Sequence, residues 1–180
     1  MSEQLAQLIP LNANVLDVGC GDGLIVHLIS KLRPDLKIQG IDVSVRKQTH
    51  IDVTVFDGFK IPFEDRSFDV VMFVDVLHHT DDPAVLLKEA SRVTRKSIIL
   101  KDHLVRGILA NETLRFMDKV GNEQHGVVLP YNYWKPEQWN DTFRALSLKI
   151  DSWRTKINLY PLPLNILFGR SLHFIASLSK

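Results

Sequence analysis

A single cysteine, Cys20, stands among 180 residues, which excludes an intramolecular disulfide framework and suits a reducing compartment. The amino terminus, Met1-Ser2-Glu3-Gln4, lacks the basic flank and apolar run of a secretory signal. Nowhere does an unbroken apolar segment approach the roughly 18 residues needed to cross a bilayer, so a cytoplasmic protein with no membrane span is expected. Dense basic clusters are also missing. Residues 1–145 carry 17 basic and 20 acidic side chains and residues 146–180 carry 5 and 1, net −3 and +4. That asymmetry is too mild for a nucleic-acid arm. Paired cysteines and an H-x-x-x-H pattern are lacking as well, and no metal is expected from motif spacing. What is present is 45% hydrophobic residues at a net charge of +1, enough for one domain with a real core over residues 1–180.

Val15-Leu16-Asp17-Val18-Gly19-Cys20-Gly21-Asp22-Gly23 is the most informative stretch. Its apolar, β-branched opening reads as a buried strand, its glycines as a turn bringing bare backbone to a ligand, and Leu24 onward as a helix. A phosphate-cradling loop would end in Gly-Lys-Ser/Thr, which is absent. A dinucleotide loop is spaced G-x-G-x-x-G/A, whereas here Leu24 occupies the third glycine's place and Asp22 would compete with a pyrophosphate for the helix start. A ligand with a cationic amine and a single carboxylate fits better, since Asp17 can accept from the amine while free amides face the carboxylate. S-adenosylmethionine has such a head group.

With that motif the sequence resembles the class I S-adenosylmethionine-dependent methyltransferases, in the broad small-molecule branch (methyltransferase type 11-like). Further pieces follow in order. Lys37–Ile41 reads as a second strand ending in Asp42, 21 positions beyond Gly21, the interval expected of a ribose-binding carboxylate. Val43–His50 leaves room for a crossover helix of about two turns. Ile51, Val53 and Val55 then alternate as a third strand up to Asp57-Gly58. Ile61-Pro62-Phe63-Glu64-Asp65-Arg66-Ser67-Phe68-Asp69 enters the apolar run Val70–Val74, read as a central strand covered on both faces. Asp75-Val76-Leu77-His78-His79 follows at its carboxyl end, Asp82-Pro83 caps a helix with Val85, Leu86, Ala90 and Val93 on one face, and Ser97–Lys101 is strand five.

This alternation argues for an α/β, doubly wound, parallel sheet whose ligands lie at the strands' carboxyl ends, where Asp17, Asp42, Asp57, Asp75, His78 and Asp102 all fall. The resemblance implies seven strands in a Rossmann-like methyltransferase fold, with Ser171–Leu178 inserted antiparallel between strand five and strand six (Ser147–Thr155). It further implies S-adenosyl-L-methionine as cofactor, held by Asp17, Gly19, Cys20, Gly21, Asp22, Gly23, Asp42, Val43, Asp57, Gly58, Phe59, Asp75, Val76 and His78. Asp57 would accept from the adenine amino group, with Phe56 and Phe59 packing the ring.

Residues 103–134 exceed a simple connection and are the candidate lid and acceptor-recognition insertion. Leu104, Ile108, Leu109, Leu114, Met117 and Val120 suggest a helical stretch bent near Gly107 and ended at Gly121-Asn122. His125, Tyr131 and Tyr133 are its substrate candidates. Methyl transfer from a sulfonium needs chiefly alignment, so a base is required only where the nucleophile must lose a proton. His103 leads that role, ahead of His78 and His79. The acceptor is expected to be a small molecule. The apolar 159–168 segment reads as packing on the domain's own core, with a homodimer surface or a lipophilic-substrate contact as alternatives. A catalytically silent binding module and a nicotinamide-nucleotide oxidoreductase are the rival functional readings.

Overall fold

Strand β4 (Phe68–Val74) shows why the chain folds as three layers. Val70 and Met72 are fully buried toward one face, Val71 and Phe73 toward the other, so the sheet must be covered on both sides. The computed structural model describes residues 1–122, 130–157, 159–161, 164–169 and 171–180. Its seven strands are ordered β3-β2-β1-β4-β5-β7-β6. They comprise β1 (Asn14–Val18), β2 (Lys37–Asp42), β3 (Val53–Val55), β4, β5 (Thr94–His103), β6 (Lys149–Arg154) and β7 (His173–Ser179). The first five pair in parallel, and β7 is antiparallel to both β5 and β6. The expected insertion of the last strand between five and six is therefore observed.

On one face α1 (Ser2–Ala6) and α2 (Leu24–Leu32) pack over Val15, Val70 and Ile99. On the other, α3 (Pro83–Val93) and α5 (Pro136–Ala145) bring Leu86, Leu87, Trp139 and Phe143 against Leu16, Val71 and Phe73. Asp82 caps α3 as expected, its carboxylate accepting from the Ala84 amide at 2.9 Å with Pro83 at the first helical position. Arg33 ties the amino-terminal arm down by donating to the carbonyls of Ala6, Ile9 and Pro10 while pairing with Asp35. No described helix is long and apolar enough to cross a membrane.

Several local expectations are corrected. The helical spacing of Leu24, Ile25, Leu28, Ile29 and Leu32 predicts one apolar face, but in α2 Leu24, Leu28 and Leu32 are 40%, 40% and 49% exposed, while Val26 and Ile29 are fully buried. Two apolar rows share this helix, and only one can face the sheet. Val85 of α3 likewise points outward, and Leu87 takes its place in the core. The crossover from Val43 to His50 contains no helix: His50 donates to the Asp22 carbonyl at 2.7 Å, folding this segment back onto the glycine turn. In the 103–134 stretch the helix begins only at Ala110, as α4 (Ala110–Asn122), because Leu104 is drawn into the main core; Ile108, Leu109 and Val120 are exposed. Within the 159–168 segment, Leu159 packs on the core and Leu164 is exposed.

Candidate active site

The site starts at the turn between β1 and α2. The amides of Gly19 and Cys20 both donate to the Ile41 carbonyl, at 2.8 and 3.1 Å, locking the turn against β2. Gly19 has φ +74°, and a Cβ built on it would stand 2.5 Å from Val76 Cγ1. Backbone conformation and space thus both require glycine. Gly19→Ala is expected to cost about 1–3 kcal/mol, lowering Tm by roughly 2–4 °C per kcal/mol. Gly121→Ala, in a helix with nothing within 4 Å of the added methyl, should leave Tm unchanged or slightly raised. Thermal unfolding of both variants checks the contrast.

Around this turn the carboxylates take different roles. Asp42, at the end of β2, accepts the Gly21 amide at 2.8 Å and the Ser44 amide at 3.1 Å, holding the turn open beside the cavity. Asp22 accepts from the Leu24 amide at 3.0 Å and so starts α2. Asp17 is 3% exposed and its Oδ1 has no hydrogen-bond partner. Burial, aided by the neighbouring Asp42 charge, pushes its carboxyl up to about 8. Burial and the charges of Asp17 and Asp42 push the Cys20 thiol up to about 12, which makes it inert as a nucleophile at neutral pH.

Asp57 is placed otherwise than expected. Its Oδ1 accepts the amides of Phe59 and Lys60 at 2.8 and 2.7 Å, and those bonds hold the carboxyl below the ordinary aspartate range. The Asp-Gly pair is thus forming its own turn, and Phe59 is 64% exposed. Buried Phe56 and the backbone at Gly58 reach the cavity wall in their stead, alongside Val43 and Val76.

A single cavity of about 1040 Å³ runs from the glycine turn to a second group of polar side chains. Asp75, with φ +56° at the end of β4, takes the Lys101 ammonium on both carboxylate oxygens at 2.5 Å. His103 Nδ1 lies 3.1 Å from His173 Nδ1, so one of the two rings donates to the other. His78 sits in a short 3₁₀ turn (Leu77–His79) with Nδ1 2.6 Å from Asp102 Oδ1. Burial opposes charge on His78, but Asp102 and Asp118 outweigh it and raise the imidazole to about 10. Burial, followed by the positive charges of His78 and Lys101, holds His103 well below its usual 6.5. Burial and Lys101 bring His173 down to about 4. The result is one cationic imidazole beside neutral ones.

The expected histidines 78, 79 and 103 therefore meet at one end of the cavity. Tyr133 and Tyr131 lie behind that wall: Tyr133 is buried with its hydroxyl donating to Asp118 Oδ2 at 2.8 Å, and Tyr131 carries Arg115 on its ring face at 4.4 Å. His125 lies outside the described residues. Among the wall residues not singled out from the sequence are Lys101, Asp118, Tyr160 and His173. Only Lys101 carried a visible signal, a charge closing the apolar run Ile98–Leu100.

A doubly wound sheet with its last strand reversed, and a glycine turn facing an acidic strand end, place a ligand-sized cavity at the carboxyl ends of the parallel strands. A family model described as a methyltransferase domain matches residues 16–100. The chain is 31% identical over 110 residues to 27-O-demethylrifamycin SV methyltransferase of Amycolatopsis mediterranei, covering 53% of this chain and 40% of that protein. It is 37% identical over 102 residues to 2-methyl-6-phytyl-1,4-hydroquinone methyltransferase of Synechocystis sp., covering 51% and 32%. The chain thus spans about two fifths or less of those relatives' lengths. An S-adenosylmethionine-dependent methyltransferase structure from Mesorhizobium loti shares the fold with TM-score 0.70 at 15% identity, over 100% of this chain and 98% of that one. Residues 16–100 thus match a methyltransferase domain within a fold shared with S-adenosylmethionine-dependent methyltransferases, a likeness that implies S-adenosyl-L-methionine as cofactor.

Proposed function

We propose that this chain transfers a methyl group from S-adenosyl-L-methionine to a small-molecule acceptor. The observation that carries the reading is one continuous cavity with the glycine turn and Asp42 at one end and a buried histidine group at the other. The residues fit the donor. Asp17 Oδ1 is an enclosed acceptor without a donor, which a cationic amine would satisfy. Gly19 and Gly21 offer close backbone approach, and Asp42 stands where ribose hydroxyls would be accepted. Val43, Phe56, Gly58 and Val76 would enclose the base, with Asp57 withdrawn to its turn.

When bound, the donor supplies an electrophilic methyl group on a positively charged sulfur. The chain's own task is to align an acceptor with it and keep water out, an effect worth up to ~7–11 kcal/mol in favourable cases. His103 is the base for acceptors that must lose a proton. It ends β5 on the cavity wall, and its Nδ1 lies 3.1 Å from His173 Nδ1, a contact that orients the ring. Asp75, held by Lys101, positions the same wall. A small acceptor is favoured by the enclosed cavity, by the absence of a basic stripe, and by relatives named for small molecules.

His103→Gln should lower kcat by about 10²–10⁴-fold with such an acceptor while leaving donor affinity unchanged. Parallel steady-state kinetics and S-adenosylhomocysteine titration check this. The reading as a whole is tested by a mass-spectrometric screen for methylated products. Donor binding without transfer to any acceptor would leave a silent binding module. Thermal protection by NAD(P)H in place of the methyl donor would favour an oxidoreductase.

A further inference from the structure

The sequence offers no metal motif, yet side chains from two separated elements converge at the histidine end of the cavity. His78 and His79 come from the 3₁₀ turn after β4, and Asp118 comes from α4. Asp118 Oδ1 lies 3.8 Å from His78 Nε2 and 3.6 Å from His79 Nε2, and one ligand atom of each residue falls within 4.8 Å of the others. Ligands about 2.1 Å from a tetrahedral ion stand roughly 3.4 Å apart, so the two carboxylate–imidazole separations would close by a few tenths of an ångström and the imidazole–imidazole one by at most about 1.4 Å.

The supporting residues are those a metal centre uses. His78 turns its other nitrogen to Asp102, which is itself fixed by the amides of Leu77 at 2.9 Å and His103 at 2.7 Å. That carboxylate–histidine arrangement sets the ring so that Nε2 faces the cluster, where a bound ion would displace the proton that this nitrogen otherwise carries. The second oxygen of Asp118 is held by the Tyr133 hydroxyl. A neighbouring trio, Asp75, His103 and His173, also has ligand atoms in range, but the Lys101 ammonium sits 2.5 Å from both Asp75 oxygens and 3.5 Å from His173 Nδ1. A cation already occupies that position.

We propose that His78, His79 and Asp118 bind one divalent transition-metal ion on the cavity wall. Two imidazoles and one carboxylate suit Zn²⁺, Fe²⁺, Co²⁺ or Mn²⁺, and three protein ligands leave at least one coordination position open. All three residues line the cavity, so the open position faces the space assigned to the acceptor. The ligand chemistry it fits is an oxygen donor such as a phenol, an enol or a hydroxy acid. The metal assignment rests on the three side chains alone; only this statement about the acceptor rests on the methyltransferase reading.

The test is a CoCl₂ titration of the whole chelator-treated protein, followed by visible absorption and by thermal unfolding. One Co²⁺ per chain with ligand-field bands is expected. Affinity should fall at least 100-fold in His79→Ala and in Asp118→Asn. A double variant, His27→Ala with His50→Ala, should bind as wild type; it removes a histidine pair outside the cluster with ring centroids 5.5 Å apart. S-adenosylhomocysteine protection measured on each sample reports folding and donor binding independently of the metal. Failure of wild type to bind Co²⁺ saturably overturns the proposal. So does binding that survives both cluster variants, or that disappears with the His27 and His50 pair. Loss of donor protection with Co²⁺ binding intact counts against the methyltransferase reading and leaves the metal site standing.

Discussion

Asp42→Ala is expected to abolish most of the thermal protection that S-adenosylhomocysteine should give the wild-type protein. At about 100 times its dissociation constant the ligand should stabilise wild type by about 2.7 kcal/mol, a rise of roughly 5–11 °C in Tm for a domain this size. Asp42 ends β2 on the cavity wall, and its carboxylate already orients the turn by accepting the Gly21 and Ser44 amides. A hydrogen bond to a charged acceptor contributes about 1.5–3 kcal/mol, so losing those to two ribose hydroxyls should weaken binding by about 10²–10⁴-fold. Asp42→Asn keeps the shape and part of the hydrogen bonding and should fall between the two. Equal protection of wild type and Asp42→Ala would remove the ribose assignment.

The second large effect is a proton coupled to donor binding at Asp17. Its carboxyl is raised to about 8 in the folded protein against about 3.9 in an unfolded chain. The native state therefore holds a proton that the unfolded state has lost between those values. The stability it contributes is fully present below pH ~4 and is lost as pH rises toward ~8. A cationic amine beside Asp17 favours the carboxylate, so binding at pH 6–7.5 should release close to one proton. Donor affinity should then rise by up to about tenfold per pH unit across that window. Calorimetry in buffers of different ionisation enthalpy measures the proton directly. Asp17→Asn should flatten the pH dependence, weaken donor binding, and raise the stability of the ligand-free protein at pH 7.5. Binding of wild type with no proton release would separate Asp17 from the amine.

The proposed donor half of the cavity is legible along the chain because it is built from consecutive residues and from strand ends. The stretch from Asp17 to Gly23 is continuous, and Asp42 follows at a spacing dictated by one crossover to the adjoining parallel strand. The half proposed for the acceptor is only partly legible. His78 and His103 announced themselves as polar residues ending apolar strands. Asp118 and His173 did not, since a helix register and an antiparallel strand far along the chain decide whether they face the cavity. His173 lies opposite His103 only through the β5/β7 pairing.

Alternation of apolar strands and helices, the glycine turn and the strand-terminal carboxylates were determined by the sequence alone, because backbone conformation and two-sided burial are written in neighbouring residues. The tertiary structure decided which of two apolar rows in α2 meets the sheet, that Asp57 closes its own turn, and that His78, His79, Asp102 and Asp118 form one network. Those outcomes depend on long-range packing: a side chain's partner is chosen by the element laid against it, and residues 40 positions apart carry no mutual signal until the sheet and its helices bring them within a few ångströms.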